Sequence, residues 1–235
     1  MPDQPFNPVK LSLNVIQHHS AEGPGEIALW AASRGVYLNI MRADLGEVPE
    51  VGAGPVIILG GPCAVYRPPL WLQRERAWLL QILELDAPVF AICMGAQLLA
   101  SCLGAEIIPA TEKEGGWSQV QLTHGGEMAV LQWHEDSFSL PPGAVLHASS
   151  PACPQQYVTH GERRIAVQFH PEWNAASVAE LNNFFGDASP LPRLSAASCE
   201  GNQSSEELEH DVARYRIVRD WFYQRLDAWR QHWHA

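Results

Sequence analysis

Residues 88–97, PVFAICMGAQ, are the most informative segment of the sequence for predicting the fold. Its first five residues are all apolar or proline, which is typical of a strand buried in a sheet that is covered on both faces. Helix-forming residues begin at Met94, so Cys93 lies in a tight turn between a strand and a helix. Gly95, in the first helical turn, allows the helix backbone to pass close to the sheet. The stretch therefore predicts one strand–turn–helix unit of a parallel α/β sheet, with a thiol at the turn.

The residues on the N-terminal side of this unit repeat the alternation of strand and helix. We predict strands at residues 9–16, 36–41 and 55–59, and helices at residues 26–34 and 70–85. Short apolar strands separated by amphipathic helices are typical of a parallel sheet with helices on both faces.

The residues on the C-terminal side change pattern and then return to it. We predict a helix at residues 94–102, short alternating strands at residues 119–123, 129–132 and 145–149, a strand at residues 164–169 and a helix at residues 175–185. Gly and Pro turns separate the short strands, which indicates an antiparallel part. The predicted fold class is α/β: an open, mostly parallel sheet flanked by helices, a flavodoxin-like three-layer sandwich, with a small antiparallel β extension and a C-terminal helix.

Three segments divide the chain. Residues 1–186 carry the α/β pattern, residues 187–205 form a loop rich in Ser, Pro and Ala, and residues 206–235 contain an amphipathic helix. Apolar side chains recur along this helix at spacings of three and four residues: Val212, Tyr215, Val218, Phe222, Leu226 and Trp229. A long exposed aromatic stripe would reduce solubility, so we expect the helix to pack on the same domain rather than on a partner.

Composition excludes several classes of function. The 235 residues include 15 Lys and Arg against 26 Asp and Glu, a formal net charge of -11, which disfavours nucleic-acid binding. No apolar run reaches the roughly 18 residues of a membrane span, and the first residues lack the features of a signal peptide. The five cysteines form no disulfide framework and no zinc pair. We expect a cytoplasmic protein that binds neither membrane nor nucleic acid.

Cys93 is the first candidate for chemistry. A helix N-terminus favours the thiolate form of a cysteine at that position. The backbone N–H of Met94 points to the same space and could stabilise an oxyanion. A free cysteine in an apolar strand is, however, also commonly buried and inert. The segment by itself leaves the nucleophile and the inert cysteine equally open.

Two further motifs also follow predicted strands. VQFHPE, residues 167–172, places His170 at a strand end and Glu172 two residues later, on the same side of an extended chain. A carboxylate there could orient the imidazole and stabilise its charged form, although a solvated strand end would look the same. Gly60 and Gly61 could bring backbone N–H groups close to a ligand, or could form a plain turn.

The order of these motifs points to a family. Gly-Gly-Pro, Cys-x-Gly-x-Gln and His-Pro-Glu all lie at the carboxyl ends of predicted strands, where sites form in open α/β sheets. In this order, over residues 55–185, the chain resembles the class I glutamine amidotransferases of the Cys–His–Glu type. The segments KEGGW, residues 113–117, and QWHEDSFSLPPGA, residues 132–144, are similar to the stand-alone, guanylate-synthase-like branch.

The resemblance assigns roles to the motif residues. It implies that Cys93 attacks the side-chain amide of glutamine, that His170 is the general base and acid, and that Glu172 orients His170. It further implies an oxyanion hole formed by the backbone of Gly61 and Met94. Gln97 matches a residue that contacts the bound glutamine. The implied reaction passes through a γ-glutamyl thioester and releases ammonia and then glutamate, with no cofactor.

The sequence departs from the family pattern at two positions of the turn. The usual motif is GxCxGHQ, whereas Ala91 and Ala96 here replace its first Gly and its His. Ala91 adds only a methyl group. Ala96 removes a polar side chain beside the predicted site, which bears on substrate preference or activation.

Other polar residues are predicted to have no catalytic role. Cys63 follows the two glycines but lacks the strand–turn–helix context, so we expect a bystander. The pair His18-His19 is expected to be solvated. A metal site is not expected, because the candidate ligands match no zinc spacing; these candidates are His134, Asp136, His170 and Glu172.

Several functions stay open at this stage. The chain could pass ammonia from glutamine to a separate synthase subunit, since it has no room for a second catalytic domain. It could instead be a free-standing γ-glutamyl peptidase or hydrolase. A non-catalytic regulatory module of the same fold, and a redox-sensing thiol protein, are the alternatives outside hydrolysis.

Overall fold

The computed structural model describes residues 11–185 and 210–233, and a nine-stranded sheet forms its centre. The strands are β1 (Ser12–Gln17), β2 (Tyr37–Arg42), β3 (Val56–Ile58), β4 (Val89–Ile92), β5 (Ile107–Leu122), β6 (Glu127–Phe138), β7 (Val145–Ser149), β8 (Tyr157–His160) and β9 (Arg164–Val167). The helices are α1 (Glu26–Arg34), α2 (Leu70–Glu84), α3 (Met94–Cys102), α4 (Ala175–Phe185) and α5 (Val212–Arg230), with a short 3-10 turn at Ala43–Leu45.

The strand order is β2-β1-β3-β4-β9-β8-β7-β5-β6. The first five strands pair in parallel, in the order that flavodoxin-like folds use. From β9 onwards every pairing is antiparallel. The predicted α/β class is thus confirmed, and the sheet is mixed.

The antiparallel part differs from the prediction in its strand lengths. The sequence suggested two short runs at residues 119–123 and 129–132, whereas β5 and β6 form one long hairpin. Gly115 and Gly116, which disfavour strands by themselves, pair with Trp133 and Gln132 of β6. Hydrogen bonds to β6 stabilise the strand here despite the low strand propensity of glycine. The sequence pattern does not show which strand will pair with these residues, so the full length of β5 could not be predicted.

The two faces of the sheet carry separate cores, because alternate residues of a strand point to opposite faces. Phe90 and Ile92 of β4 belong to the core shared with α1 and α5. Val89 and Ala91 belong to the core shared with α2 and α3. This division produces three layers and explains why the β4 sequence is apolar at every position.

Helix α5 lies against the first of these cores. Val218, Phe222, Leu226 and Trp229 are buried, whereas Val212 is exposed. The rings of Phe222 and Trp229 meet Phe90 edge-on, with centroid distances of 5.5 and 5.9 Å. The predicted loop at residues 187–205 lies outside the described residues. None of the described helices combines the length and apolar character that crossing a bilayer requires.

Candidate active site

Three neighbouring strands end at the same edge of the sheet and carry the predicted site. Gly60 and Gly61 follow β3, Cys93 follows β4, and His170 lies three residues beyond β9. Because β3, β4 and β9 are parallel, their carboxyl ends bring these residues together. The backbone N–H of His170 also donates to the carbonyl of Leu131, which ties this segment to β6.

Cys93 occupies a strained turn. Its φ of 52° lies in the left-handed region, which it shares with only one other non-glycine residue among those described. Two backbone bonds hold the turn: Cys93 N–H donates to the Val167 carbonyl at 2.8 Å, and its carbonyl accepts from Gln97 N–H at 3.0 Å. The thiol, in a residue only 6% exposed, lies 3.6 Å from the Trp133 carbonyl oxygen. A strand-to-helix turn of this kind holds a nucleophile above the sheet edge.

His170 and Glu172 form a buried pair. The imidazole Nδ1 lies 2.8 Å from Glu172 Oε1, and both side chains are 2% exposed. The ring stacks on Trp173, with 3.6 Å between centroids and 10° between planes. Burial lowers the pKa of His170, but the interactions of the imidazole with Glu172 and Cys93 outweigh burial and raise that pKa to about 10. The pair therefore favours an imidazolium at neutral pH.

The side chains of Cys93 and His170 flank the same glycine. A Cβ added to Gly60 would lie 3.0 Å from His170 Cε1 and 3.5 Å from Cys93 Cβ. The second ring nitrogen, His170 Nε2, makes no hydrogen bond to a described residue. Glu172 thus engages one nitrogen and leaves the other available for proton transfer.

The predicted oxyanion-hole residues also meet. A Cβ added to Gly61 would lie 3.0 Å from Met94 Cε, so the two residues are in contact. Within the described part of the chain, neither the Gly61 amide nor the Met94 amide donates a hydrogen bond. Met94 is the first residue of α3, whose N-terminal amides have no partner within the helix.

Gln97 is held by the protein itself. Its side-chain nitrogen donates to the Asp136 carbonyl at 3.0 Å and to Gln168 Oε1 at 3.2 Å, and the residue is 4% exposed. These bonds connect α3 to β6 and to the segment after β9. The contact of Gln97 with a bound glutamine stays a prediction, and its amide nitrogen is already bonded.

His18 corrects one of the expectations. It was expected to be solvated, but it is 2% exposed and its Nδ1 lies 2.8 Å from the Gly60 carbonyl oxygen. Its Nε2 faces the carboxylate of Glu75 at 3.0 Å. The loop after β1 reaches the same sheet edge as the other motifs. The place of His18 directly after a predicted strand was the only feature of the sequence that could have indicated a position near the site.

Glu22 is a second buried residue that the sequence did not single out. It lies in the same loop, is 6% exposed, and its Oε2 would be 3.2 Å from a Cβ on Gly60. Burial raises the pKa of Glu22, while the charges of His170 and His18 lower it. The site therefore contains a second carboxylate beside the imidazole.

Cys63 lies near this loop and is half-buried. Burial raises the pKa of the Cys63 thiol, and the negative charges of Glu22 and Asp44 raise it further. This environment disfavours a thiolate at Cys63, which agrees with the expectation that Cys63 is not the nucleophile.

A separate cluster of three buried side chains contains residue types that commonly bind metal ions. Among the described residues, Glu114, His134 and Cys153 place one potential ligand atom each within 4.8 Å of the others. Protein groups already engage these atoms: Ser150 and Gln156 donate to Glu114, and Ser137 Oγ lies 3.1 Å from Cys153 Sγ. The burial of Cys153 raises its pKa to about 12, so the thiol is neutral there.

A protein-family model for the glutamine amidotransferase class-I family matches residues 27–185, more than half of the chain. The chain belongs to this family. The matched region contains Cys93, His170 and Glu172, and every parallel strand except β1.

Two curated relatives show what the chain is similar to. The glutamine amidotransferase-like protein YfeJ of Salmonella typhimurium is 27% identical over 190 residues, which are 73% of this chain and 80% of the relative. The glutamine-hydrolysing GMP synthase of Geobacillus kaustophilus is 35% identical over 154 residues, which are 59% of this chain. The chain matches only 28% of the length of that synthase.

Solved structures share the fold. A glutamine amidotransferase from Methylobacillus flagellatus superimposes with a TM-score of 0.83 at 24% identity, covering 94% of each chain. A glutamine amidotransferase from Thermotoga maritima has a TM-score of 0.82 at 21% identity, covering 93% of this chain and 97% of its own. The α/β architecture of this chain is therefore that of class-I amidotransferases.

Proposed function

We propose that the protein hydrolyses the side-chain amide of glutamine, or a related γ-glutamyl amide, through a thioester on Cys93. The observation that carries the proposal is the buried 2.8 Å contact between His170 Nδ1 and Glu172 Oε1. The opposite ring nitrogen, Nε2, has no hydrogen-bond partner among the described residues, and the adjacent ring atom Cε1 lies beside Gly60, which Cys93 also flanks. This arrangement supports a nucleophile, a proton carrier and an orienting carboxylate in one site.

The first half-reaction forms the thioester. The Cys93 thiolate attacks the amide carbon, and negative charge develops on the amide oxygen. His170, as imidazolium, donates its Nε2 proton to the departing nitrogen, so the C–N bond breaks and ammonia leaves. His170 is then neutral, and the γ-glutamyl group is bound to sulfur.

The second half-reaction returns the site to its starting state. Neutral His170 takes a proton from water, and the resulting hydroxide adds to the thioester carbon. The tetrahedral intermediate expels the Cys93 thiolate and leaves glutamic acid, which ionises. Thiolate and imidazolium are restored, and Glu172 stabilises the imidazolium in both halves of the cycle.

The oxyanion requires hydrogen-bond donors in both half-reactions. Gly61 lies against the Met94 side chain, and the amides of both residues donate to no described residue, which supports their assignment as those donors. Such donors act without reorganisation at the moment of reaction, so each contributes strongly to rate.

The fate of the ammonia is the second part of the proposal. The GMP synthases that match this chain are much longer, and their matched portion is 28% of their length. A separate synthase subunit that receives ammonia is therefore one proposal for a partner. A free-standing γ-glutamyl hydrolase is the other, and we place either version in the cytoplasm, where Cys93 would stay reduced.

The decisive experiment compares Cys93→Ala with Cys63→Ala. Purified proteins are incubated with glutamine and with a panel of γ-glutamyl peptides and amides, and glutamate release is measured. We expect Cys93→Ala to lose activity by at least about a thousandfold, because the covalent route is removed. Cys63→Ala, the matched control, should retain most of the activity.

Intact-mass analysis adds a direct readout. A γ-glutamyl adduct should form on wild-type protein and on Cys63→Ala, and should be absent from Cys93→Ala. Faster turnover of peptides than of glutamine would favour the free-standing hydrolase. An adduct on Cys63, or equal loss of activity in both variants, would overturn the assignment of Cys93.

A further inference from the structure

We propose that His18 and Glu75 are positioning residues that fix the peptide between Gly60 and Gly61 and so aim the Gly61 N–H at the oxyanion. The proposal rests on the proposed function, because it concerns the oxyanion formed during amide hydrolysis. Neither residue belongs to the motifs that mark the family resemblance.

The peptide between Gly60 and Gly61 needs a contact that fixes its orientation, because both of its residues are glycines. A peptide flanked by glycines on both sides can rotate at little cost, because neither residue restricts φ and ψ. In one orientation the Gly61 N–H faces the site, and in the opposite orientation the Gly60 carbonyl oxygen would face it and repel an oxyanion. Gly61 must also stay a glycine, since a Cβ there would lie 2.8 Å from His18 Cβ.

His18 selects one of these orientations. Its Nδ1 lies 2.8 Å from the Gly60 carbonyl oxygen, a buried contact between residues 42 positions apart. The described backbone contains no cis peptide, and in a trans peptide the C=O and N–H bonds point in opposite directions. Holding the Gly60 carbonyl on the His18 side therefore turns the Gly61 N–H to the other side.

Glu75 gives the contact its strength. His18 Nε2 lies 3.1 and 3.0 Å from the two carboxylate oxygens of Glu75, and both side chains are fully buried. The Gly60 carbonyl oxygen can only accept, so Nδ1 carries a proton. With Glu75 ionised, Nε2 also carries a proton and the ring is an imidazolium. Burial lowers the pKa of His18, but the contacts with Glu75 and Gly60 outweigh it and raise that pKa. A charged donor makes a stronger hydrogen bond to the carbonyl than a neutral one.

The pair is also held in place. The His18 ring stacks on Trp71 at a centroid distance of 5.5 Å and an interplanar angle of 25°. Trp71 and Glu75 are one helical turn apart on α2. The same helix therefore provides both the ring that packs on His18 and the carboxylate that balances its charge. The position of α2 is thereby connected to the geometry of the oxyanion hole.

The test uses two double variants that differ only in the donor to Gly60. His18→Asn/Glu75→Gln retains a side-chain N–H near the position of Nδ1, and His18→Leu/Glu75→Gln has none. Both remove the charge of Glu75, so neither leaves a buried carboxylate without a partner. His124→Leu, at an exposed position in the turn between β5 and β6, controls for the substitution itself.

Four quantities are measured for each protein. They are kcat and KM for the best γ-glutamyl substrate, the Ki of the γ-aldehyde analogue of glutamine, and the rate at which iodoacetamide alkylates Cys93. The aldehyde forms a thiohemiacetal whose oxygen occupies the oxyanion hole, whereas KM and alkylation depend little on that hole.

We expect kcat to fall by about 10- to 100-fold in the Leu variant, since loss of a whole oxyanion donor costs about 100- to 1,000-fold. The Ki of the aldehyde should rise by a similar factor, while KM and the alkylation rate stay within about threefold of wild type. The Asn variant should recover most of kcat and of the aldehyde affinity. An Asn variant as slow as the Leu variant, or a Leu variant with unchanged kcat and Ki, would overturn the proposal.

A measurement on wild-type protein keeps the proposal testable if the Leu variant does not fold. In nitrogen NMR of histidine-labelled protein at neutral pH, both ring nitrogens of His18 should be protonated, and an unprotonated Nδ1 would overturn the proposal. Failure of the proposed function looks different: wild-type protein would hydrolyse no member of the substrate panel and would not bind the aldehyde.

Discussion

At the residue scale, Ala96 shows how the structure accommodates a departure from the family's sequence motif. Ala96 and Ala91 are both fully buried and belong to the core between the sheet and helices α2 and α3. The side chain at position 96 therefore packs in the core beneath α3. The polar groups beside the nucleophile come instead from other segments, namely His170, Glu172 and Glu22.

Glu172 provides the first prediction at this scale. We expect Glu172→Gln to lower the single-turnover rate of Cys93 acylation by about 100- to 10,000-fold, less than Cys93→Ala does. The carboxylate orients and stabilises the imidazolium but breaks no bond itself. Glu135→Gln, at an exposed position, is the matched control and should acylate at the wild-type rate. Wild-type rates in Glu172→Gln would mean that another carboxylate orients His170, with Glu22, which lies beside the imidazole, the first candidate.

The pKa of His170 provides a second prediction. Because its folded-state pKa of about 10 lies above the ordinary value of 6.5, its contribution to stability is complete below pH 6.5 and is lost as pH rises through 10. The free energy of unfolding is measured by urea denaturation for wild type and for His170→Asn. Between pH 6.5 and 10 we expect it to fall by a few kcal/mol more in wild type than in the variant. Parallel pH profiles for the two proteins would contradict the raised pKa.

Secondary-structure elements decide whether the site residues meet. Helix α3 starts directly after Cys93, and its close approach to β3 depends on Gly95. A Cβ at this position would lie 2.5 Å from the Ile58 carbonyl oxygen and 2.7 Å from that of Leu59. Both neighbours are backbone atoms, so a side chain could be accommodated only by moving the helix away from the sheet. The glycine was predicted from the sequence, because a helix that follows a tight turn needs this clearance.

The Gly95→Ala variant tests this requirement. We expect the free energy of unfolding to fall by about 1–3 kcal/mol, as is typical when a methyl group is forced into a filled core. Turnover should fall as well, since the shift moves the Met94 amide. Gly23→Ala is the matched control, because a Cβ at Gly23 meets no atom within 4 Å. The two variants are compared by urea denaturation, and equal stability would show that α3 does not need the glycine.

The whole molecule depends on contacts between distant parts of the chain. Helix α5 covers the face of the sheet that carries Phe90, although the two are more than a hundred residues apart. Trp30 of α1 donates to Asp227 of α5 at 2.9 Å, and Trp229 donates to the Arg163 carbonyl at 3.0 Å. The amphipathic stripe indicated that this helix has an apolar face, but no local pattern indicated which surface that face would contact.

Phe222 tests the importance of this packing. We expect Phe222→Ala to lower the free energy of unfolding by about 3–5 kcal/mol, because the ring is fully buried against Phe90 and its removal leaves a cavity. Ile217→Ala, on the same helix but 56% exposed, should change stability by less than about 1 kcal/mol. Urea denaturation of both variants is the measurement, and similar losses would mean that α5 does not contribute to the core through Phe222.

The parallel strands, the turn at Cys93 and the placement of three motifs at the carboxyl ends of strands could all be predicted from the amino-acid sequence. Each depends on side-chain period, glycine and turn chemistry within about ten residues, which the chain order contains directly. Two features could not be predicted in this way: His18 is buried and bonded to Gly60 and Glu75, 42 and 57 positions away, and Gln97 is held by Asp136 and Gln168. Burial and the protonation state of a buried group depend on which distant segments surround the residue, and those segments come together only when the whole sheet has formed.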